Sequence, residues 1–143
     1  MKIAYVTIYF PPIAGGEGNN AYYLARELAK KHEVHVFTLD RKKDRVLKKE
    51  ETKDKIKIHR FSPKFHFGYH FFHSKPLIKA VIKNDFDIIH FHSFGVINQD
   101  LIVLNKSKFK KNILINTPAH PSFSFKYSLL KNFIAKSIKK FEK

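Results

Sequence analysis

Short apolar runs alternate with segments of helical periodicity along this chain, and that alternation restricts its fold more than any other feature. Runs of strand length occur at residues 2–8, 33–39, 55–61, 87–92 and 112–117. Helices are predicted between the first two runs and at residues 75–84, 97–108 and 123–141. Strands that alternate with helices form a mostly parallel sheet whose two faces are both covered. The sequence therefore predicts a doubly wound α/β fold.

The helix between the first two strands is predicted from apolar residues at helical spacing. Ala21, Leu24, Ala25 and Leu28 form one stripe, which we expect to face the sheet. Asn19 or Asn20 is available as its N-cap, because an Asn side chain accepts a hydrogen bond from a first-turn N–H group.

The chain of 143 residues has the size of one domain, which we predict to span residues 1–143. Its 28 Lys and Arg residues against 12 Asp and Glu residues give a formal charge of +16, while 43% of residues are apolar. These values indicate a folded domain with a basic surface. The densely charged residues 41–55 are predicted to be a solvated connection between the second and third strands.

The sequence contains no cysteine, which excludes disulfides, a thiolate nucleophile and Cys-ligated zinc. No apolar run approaches the roughly 18 to 20 residues of a membrane-spanning helix. We therefore predict a cytoplasmic protein.

Three loops are expected to meet at the carboxyl ends of the strands, at residues 9–20, 92–95 and 118–122. The first holds Gly15, Gly16 and Gly18, which permit positive φ and a close backbone approach, directly before a helix. Because a helix N-terminus favours anions, we predict contact with a phosphate or carboxylate there. A tight turn without a ligand is the simpler alternative.

Residues 16–21 also satisfy the pattern G-x-G-x-x-A, and Asp40 ends the second strand where a ribose-binding carboxylate would lie. A dinucleotide-binding domain is therefore an alternative. The long Pro-Pro loop before the glycines opposes it, because in that fingerprint the first glycine follows the strand almost immediately.

Three histidines lie near the same predicted edge. His90 and His92 are two apart on a strand and share a face, and His120 follows the last strand. We predict that His92 and His120 face the substrate, where a neutral imidazole can exchange a proton with a hydroxyl or phosphate, and that His90 is a core residue. No carboxylate or cysteine motif accompanies them, so we expect no metal.

Residues 61–74 hold six aromatic residues and three histidines. These rings either enter the core or form an exposed patch for a lipid, an acceptor or a partner, for which Phe71, Phe72 and Lys64 are the candidates. With the basic surface, this patch predicts peripheral docking on an anionic membrane such as the inner membrane face. Nucleic acid is disfavoured as a partner, because no recognised motif is present.

The motifs FPPxxGG before a helix, HxHS at a strand end and TPxHP in a turn occur together in this order. The chain resembles, over nearly its whole length, the N-terminal domain of family 4 retaining glycosyltransferases, a Rossmann-like half of the GT-B fold. The resemblance implies transfer of a sugar from a nucleotide-sugar donor to an acceptor, without a metal or other cofactor. It also implies a C-terminal donor-binding domain, so we expect this chain to be truncated before that domain and inactive alone.

The resemblance also assigns roles to residues of the predicted edge. The catalytic candidates are His120, which would contact the reacting sugar, and His92. The substrate- and phosphate-binding candidates are Gly15, Gly16, Glu17, Asn19 and Ser93. Two other functions remain open, a non-catalytic basic module for anionic membranes or nucleic acid and a fragment of a dinucleotide-binding enzyme.

Overall fold

The computed structural model describes residues 1–13, 15–42, 45–67, 71–92, 96–105 and 113–117. Within them the strands are β1 (Lys2–Val6), β2 (Glu33–Leu39), β3 (Arg41–Lys42), β4 (Arg45–Val46), β5 (Glu50–Lys53), β6 (Ile56–Phe61), β7 (Phe65–Phe67), β8 (Phe71–His73), β9 (Ile88–His92) and β10 (Ile113–Thr117). The helices are α1 (Gly16–Leu28), α2 (Lys75–Lys83) and α3 (Ile97–Leu104). The helix predicted at residues 123–141 lies outside the described residues.

The main sheet has the strand order β10-β9-β1-β2-β6-β5. All neighbouring pairs are parallel except β5 and β6. β1 lies at the centre, where Ile3 is in register with Val34 on one side and Ile88 on the other. The predicted mostly parallel, doubly wound α/β fold is confirmed.

The two faces of the sheet bury alternate residues of the same strands, because successive side chains of a strand point to opposite faces. Ile3, Tyr5, Val34, Val36, Ile56 and Ile58 pack with Ala21 and Ala25 of α1. On the other face, Ala4, Val6, Phe37, Ile89 and Phe91 pack with residues of α2 and α3. Both faces are therefore covered by helices, as predicted.

The apolar stripe of α1 differs from the predicted one. Ala21 and Ala25 are fully buried, but Leu24 is 40% exposed and Gly18 is buried in its place. A Cβ atom at Gly18 would lie 2.8 Å from the carbonyl oxygen of Tyr9, so only glycine permits this approach. The helix contacts the protein core through small residues, because close packing rather than side-chain hydrophobicity determines which face is buried.

The charged residues 41–55 are more ordered than predicted. They include the two-stranded β3–β4 sheet and β5, which pairs with β6 across a two-residue turn. The turn residues Asp54 and Lys55 have φ of 50° and 64°, the left-handed conformation of a type I′ hairpin turn. The described residues of the segment are mostly exposed and connect β2 to β6, as predicted, and the segment also contains strands because backbone pairing does not require apolar side chains.

The aromatic residues 61–74 include β7 and β8, which pair antiparallel in the β7–β8 hairpin with Phe65 opposite His73. Phe72 is 1% exposed and packs with Ile8, Leu39 and Val96, so its assignment to a surface patch is wrong. Lys64 is exposed, and Phe65 is 49% exposed. The backbone of Phe71 belongs to β8, and its side chain lies outside the described part of the structure.

Candidate functional site

The carboxyl ends of the central strands meet at one edge of the sheet. Val6 of β1 is in register with Phe91, and His92 at the end of β9 is in register with Thr117 at the end of β10. α1 begins at Gly16, after the loop that follows β1. The structure thus brings the loop that holds Gly15, Gly16 and Gly18 (the glycine loop), the end of β9 and the end of β10 to the same edge, as predicted from the topology.

The glycines of the loop differ in what surrounds them. Among the residues that the structure describes, a Cβ atom added at Gly15 or Gly16 would meet no atom within 4 Å, in contrast to Gly18. Gly15 has φ of 169°, which is extended backbone, so the predicted positive φ is not found at this residue. Gly15 and Gly16 therefore leave open space at the start of α1, whereas Gly18 is needed for packing.

The start of α1 can receive an anion. The first helical hydrogen bond runs from the amide of Asn19 to the carbonyl oxygen of Gly15 at 2.9 Å. The N–H groups of residues 16–18 precede that bond, and Gly15, which is the N-cap, has no side chain to cap them. The predicted Asn caps are wrong because the helix begins at Gly16, which places Asn19 inside it, where its side chain is exposed.

Glu17 lies inside the first turn of α1 and adds negative charge near this space. Thr7 Oγ1 lies 3.5 Å from Glu17 Oε1 and donates a hydrogen bond to the carbonyl oxygen of Tyr9 at 3.1 Å. Burial and the Glu17 carboxylate both raise the pKa of Tyr9. Glu17 is thus placed beside the end of β1, next to the predicted phosphate contact.

His92 is at the predicted strand end but is 1% exposed. Its ring stacks on His90 and Tyr5, at centroid distances of 4.5 and 5.3 Å. Burial, together with repulsion from His90, lowers the pKa of His92 to about 4. The ring is therefore neutral near pH 7, as predicted, and it packs against Tyr5 and His90. Its contact with a substrate stays a prediction.

Two contacts at this edge were not predicted from the sequence. Gln99 of α3 donates from its side-chain Nε2 to the carbonyl oxygens of His92 and Val6, at 2.9 and 3.2 Å. Arg60 of β6 donates from Nη2 to the carbonyl oxygen of Pro11, at 2.9 Å. Arg60 occupies an inward-facing position of a strand in which apolar and polar residues alternate, and a buried arginine needs hydrogen-bond partners. This position was the one signal in the sequence for the second contact.

Buried polar atoms without a hydrogen-bond partner concentrate at the same edge. Among the described residues these atoms are His32 Nδ1, Asp40 Oδ1, Arg60 Nε, His92 Nε2, Asn98 Nδ2 and Gln99 Oε1. All except His32 belong to the carboxyl ends of β2, β6 and β9 or to the first turn of α3. Such atoms cost about 1–3 kcal/mol each when left unpaired, so their concentration is typical of an edge that binds polar ligands or water.

The sequence model of Glycosyltransferase Family 4 matches residues 14–139, a range that includes Gly15, Gly16 and Gly18 and all of the described strands after β1. The chain belongs to glycosyltransferase family 4. A comparison with curated protein sequences finds no match.

Among solved structures, this family 4 domain is similar to sucrose-phosphate synthase from Thermosynechococcus elongatus. The TM-score is 0.62 and the sequence identity is 12%, so the likeness shows a common fold. It covers 96% of this chain and 40% of the synthase chain. The family 4 domain therefore spans less than half the length of that protein.

The dinucleotide-binding alternative is not supported in this family 4 domain. Asp40, its candidate ribose-binding residue, is 1% exposed. Its Oδ2 accepts a hydrogen bond from Ser62, and its Oδ1 lies 3.6 Å from Arg41 Nε. The carboxylate is thus engaged inside the domain rather than presented to a ribose.

The remaining predicted site residues, Ser93 and His120, lie outside the described residues of the family 4 domain. Within the described ranges, no three His, Asp or Glu side chains are grouped as metal ligands. In those ranges there is also no helix with the length and hydrophobicity needed to cross a membrane.

Proposed function

We propose that this family 4 domain is the N-terminal, acceptor-side half of a retaining glycosyltransferase. The enzyme would move a sugar from a nucleotide-sugar donor to an acceptor, and it would require a second, donor-binding domain. Family membership supports sugar transfer, and the 40% coverage of the synthase chain is consistent with one half of a larger enzyme.

The observation that carries the proposal is the open, uncapped start of α1. The backbone at Gly15 and Gly16 can approach a phosphate closely, since no atom of the described part of the chain blocks either Cβ position within 4 Å. The N–H groups and dipole of a 13-residue helix favour a negative charge there. Fixed donors of this kind stabilise the charge that develops on a leaving phosphate.

We assign the two histidines different roles in this function. His120 would contact the reacting sugar, following the family resemblance. His92 is neutral and packs against Tyr5 and His90, so it would not exchange protons with solvent. Its buried Nε2, which has no hydrogen-bond partner among the described residues, would instead position neighbouring groups of the site. No metal is part of the proposal.

The basic surface supports an additional proposal, peripheral docking of the domain on an anionic membrane that carries the acceptor. The formal charge is +16, and the β7–β8 hairpin exposes Phe65 next to Lys64. Each basic side chain near an anionic bilayer contributes about 1 kcal/mol, and an inserted aromatic ring adds to this.

Activity measurements on two preparations test the enzymatic proposal. The purified chain alone should not turn over nucleotide sugars, because the reacting centre would lie between two domains. Addition of a donor-binding domain of the same family, either fused or in trans, should produce transfer with retained anomeric configuration. Turnover by the chain alone, or inversion in the completed enzyme, would contradict the proposal.

A further inference from the structure

Arg60 is a buried cation that connects two separate segments of the chain. Its guanidinium side chain is 1% exposed. Nη1 donates to Glu51 at 2.7 Å and to the carbonyl oxygen of Lys48 at 3.2 Å, while Nη2 donates to the carbonyl oxygen of Pro11 at 2.9 Å. A buried guanidinium is tolerated only when it is paired and hydrogen-bonded in this way.

The contact with Pro11 matters because of the composition of the glycine loop. Pro11 and Pro12 have no N–H group, so this part of the loop can be hydrogen-bonded to the sheet only through its carbonyl oxygens. Thr38 holds the carbonyl oxygen of Ile8 at 2.9 Å, near the beginning of the loop. Arg60 holds the next part, on the side that leads to Gly15 and Gly16.

Residues 48–51, which include the first residues of β5, contact the opposite side of the Arg60 guanidinium. The backbone amide of Arg60 donates to the carbonyl oxygen of Lys49 at 2.7 Å, in addition to the side-chain contacts with Lys48 and Glu51. The rigid, planar fork of Arg fixes the angle between these donors, which a lysine cannot reproduce. The position of residues 48–51 is thereby linked to that of the glycine loop.

We propose that Arg60 is a positioning residue that sets the phosphate-binding conformation of the glycine loop through the Pro11 carbonyl, and that Glu51 sets the position of Arg60. This rests on the proposed function, in which Gly15 and Gly16 contact a phosphate. It gives the charged segment before β6 a role in substrate binding, because residues 48–51 lie beside Arg60 at the carboxyl end of β6.

The test compares Arg60→Lys and Glu51→Gln with a control on the same strand. Arg60→Lys keeps the charge but cannot reach Glu51 and Pro11 together. Lys57→Met is the control, since Lys57 forms an exposed ion pair with Glu33 at 2.6 Å and does not contact the loop. Backbone ¹⁵N order parameters at Gly15 and Gly16, measured by NMR without ligand, report the mobility of the loop, and a pyrophosphate titration followed on the same amides reports binding.

We expect lower order parameters at both glycines in Arg60→Lys, with pyrophosphate affinity lowered about tenfold, and a smaller change in the same direction in Glu51→Gln. The control should match the wild type in both measurements. If Arg60→Lys does not fold, Glu51→Gln alone decides, because Glu51 is partly exposed and its loss is milder. Unchanged order parameters at Gly15 and Gly16 in the folded variants would overturn the proposal, even if their stability fell.

A failure of the proposed function would give a different result. In that case the wild-type glycine amides would not respond to pyrophosphate, whereas their order parameters would still depend on Arg60.

Discussion

The side-chain Nε2 of Gln99 donates a hydrogen bond to the carbonyl oxygen of His92 at 2.9 Å. The same nitrogen donates to the carbonyl oxygen of Val6 at 3.2 Å, so one buried amide joins the carboxyl ends of β1 and β9. These strands lie where the direction of strand order reverses, the point at which open α/β sheets bind ligands. Gln99 therefore fixes the floor of the candidate site.

Replacing Gln99 with Leu should lower the free energy of unfolding by about 1–3 kcal/mol, because two buried carbonyl groups lose their side-chain donor. Urea denaturation measures this change. Asn105→Leu is the matched control, since the side-chain Nδ2 of Asn105 donates to the carbonyl oxygen of Leu101 at the end of α3, away from the strand ends. Equal losses in the two variants would show that Gln99 has no special role at the strand ends.

Gly16→Val should leave the domain folded and weaken binding of phosphate-bearing ligands by about tenfold. The added side chain would enter the open space above the start of α1, where a phosphate would meet the backbone. Calorimetry with nucleotide sugars and phosphorylated acceptors measures the affinity. Asn20→Val, at an exposed position of the same helix, controls for the helix propensity of valine.

Gly18→Val should instead lower the free energy of unfolding by about 2 kcal/mol or more. Its Cβ would approach the carbonyl oxygen of Tyr9 to 2.8 Å, and overpacking of this kind forces the backbone apart. Thermal unfolding compares this variant with Gly16→Val. Similar stability of the two variants would contradict the distinction between an open and a packed glycine.

In the enzyme completed with a donor-binding domain, His120→Ala or His92→Ala should lower turnover by about a hundredfold. His32→Ala, before the amino end of β2, should change it little. Burial holds the pKa of His92 at about 4, so His92 should not titrate between about pH 5 and 8. The pH profile of turnover in that range should therefore have the same shape in the wild type and in His92→Ala. Wild-type turnover in both site variants would remove these histidines from the mechanism.

Asp100 should make the domain less stable at neutral pH. Burial raises its pKa from 3.8 to about 6, so the folded state binds its proton more tightly than the unfolded state. The stabilisation that follows is present below the unfolded pKa and is lost as pH rises through about 6. After allowance for solvent screening, Asp100→Asn should gain roughly 1–2 kcal/mol relative to wild type on going from pH 4 to pH 7.5. Urea denaturation at the two pH values measures it, and a constant difference would contradict the pKa shift.

Flotation with vesicles tests membrane docking. Binding should occur with anionic but not neutral vesicles, weaken at high salt, and fall in Phe65→Ser, whose ring is 49% exposed. Phe72→Ser should primarily destabilise the domain, by about 3 kcal/mol or more, because Phe72 is in the core. A domain that fails to float with anionic lipid at low salt would show that its charge serves another purpose.

The parallel sheet could be predicted because apolar periodicity reports burial along each element. β2 was predicted with its observed bounds, and the other strands of the parallel sheet differed by a residue or two at their ends. The position of the glycine loop at the ligand edge followed from strand order alone. These features depend on local pattern and on the general topology of α/β sheets.

Features that depend on contacts between distant residues could not be predicted. β5 pairs with β6 although its residues are charged, and Glu51 reaches the buried Arg60 nine positions later. The burial of Phe72 depends on Ile8 and Val96, which are remote in sequence. The extended conformation of Gly15 could not be predicted either, because a glycine adopts many backbone conformations and its position in the sequence does not select one.

The antiparallel edge strand β5 has a further consequence for the behaviour of the domain in a crowded solution. All of its residues, Glu50, Glu51, Thr52 and Lys53, are polar, and all except the partly buried Glu51 are exposed. A second chain that extended the sheet beside β5 would remove water from these charged side chains, which opposes edge-to-edge aggregation. The same short strand that holds Arg60 in place thus protects one side of the sheet from uncontrolled growth into fibres.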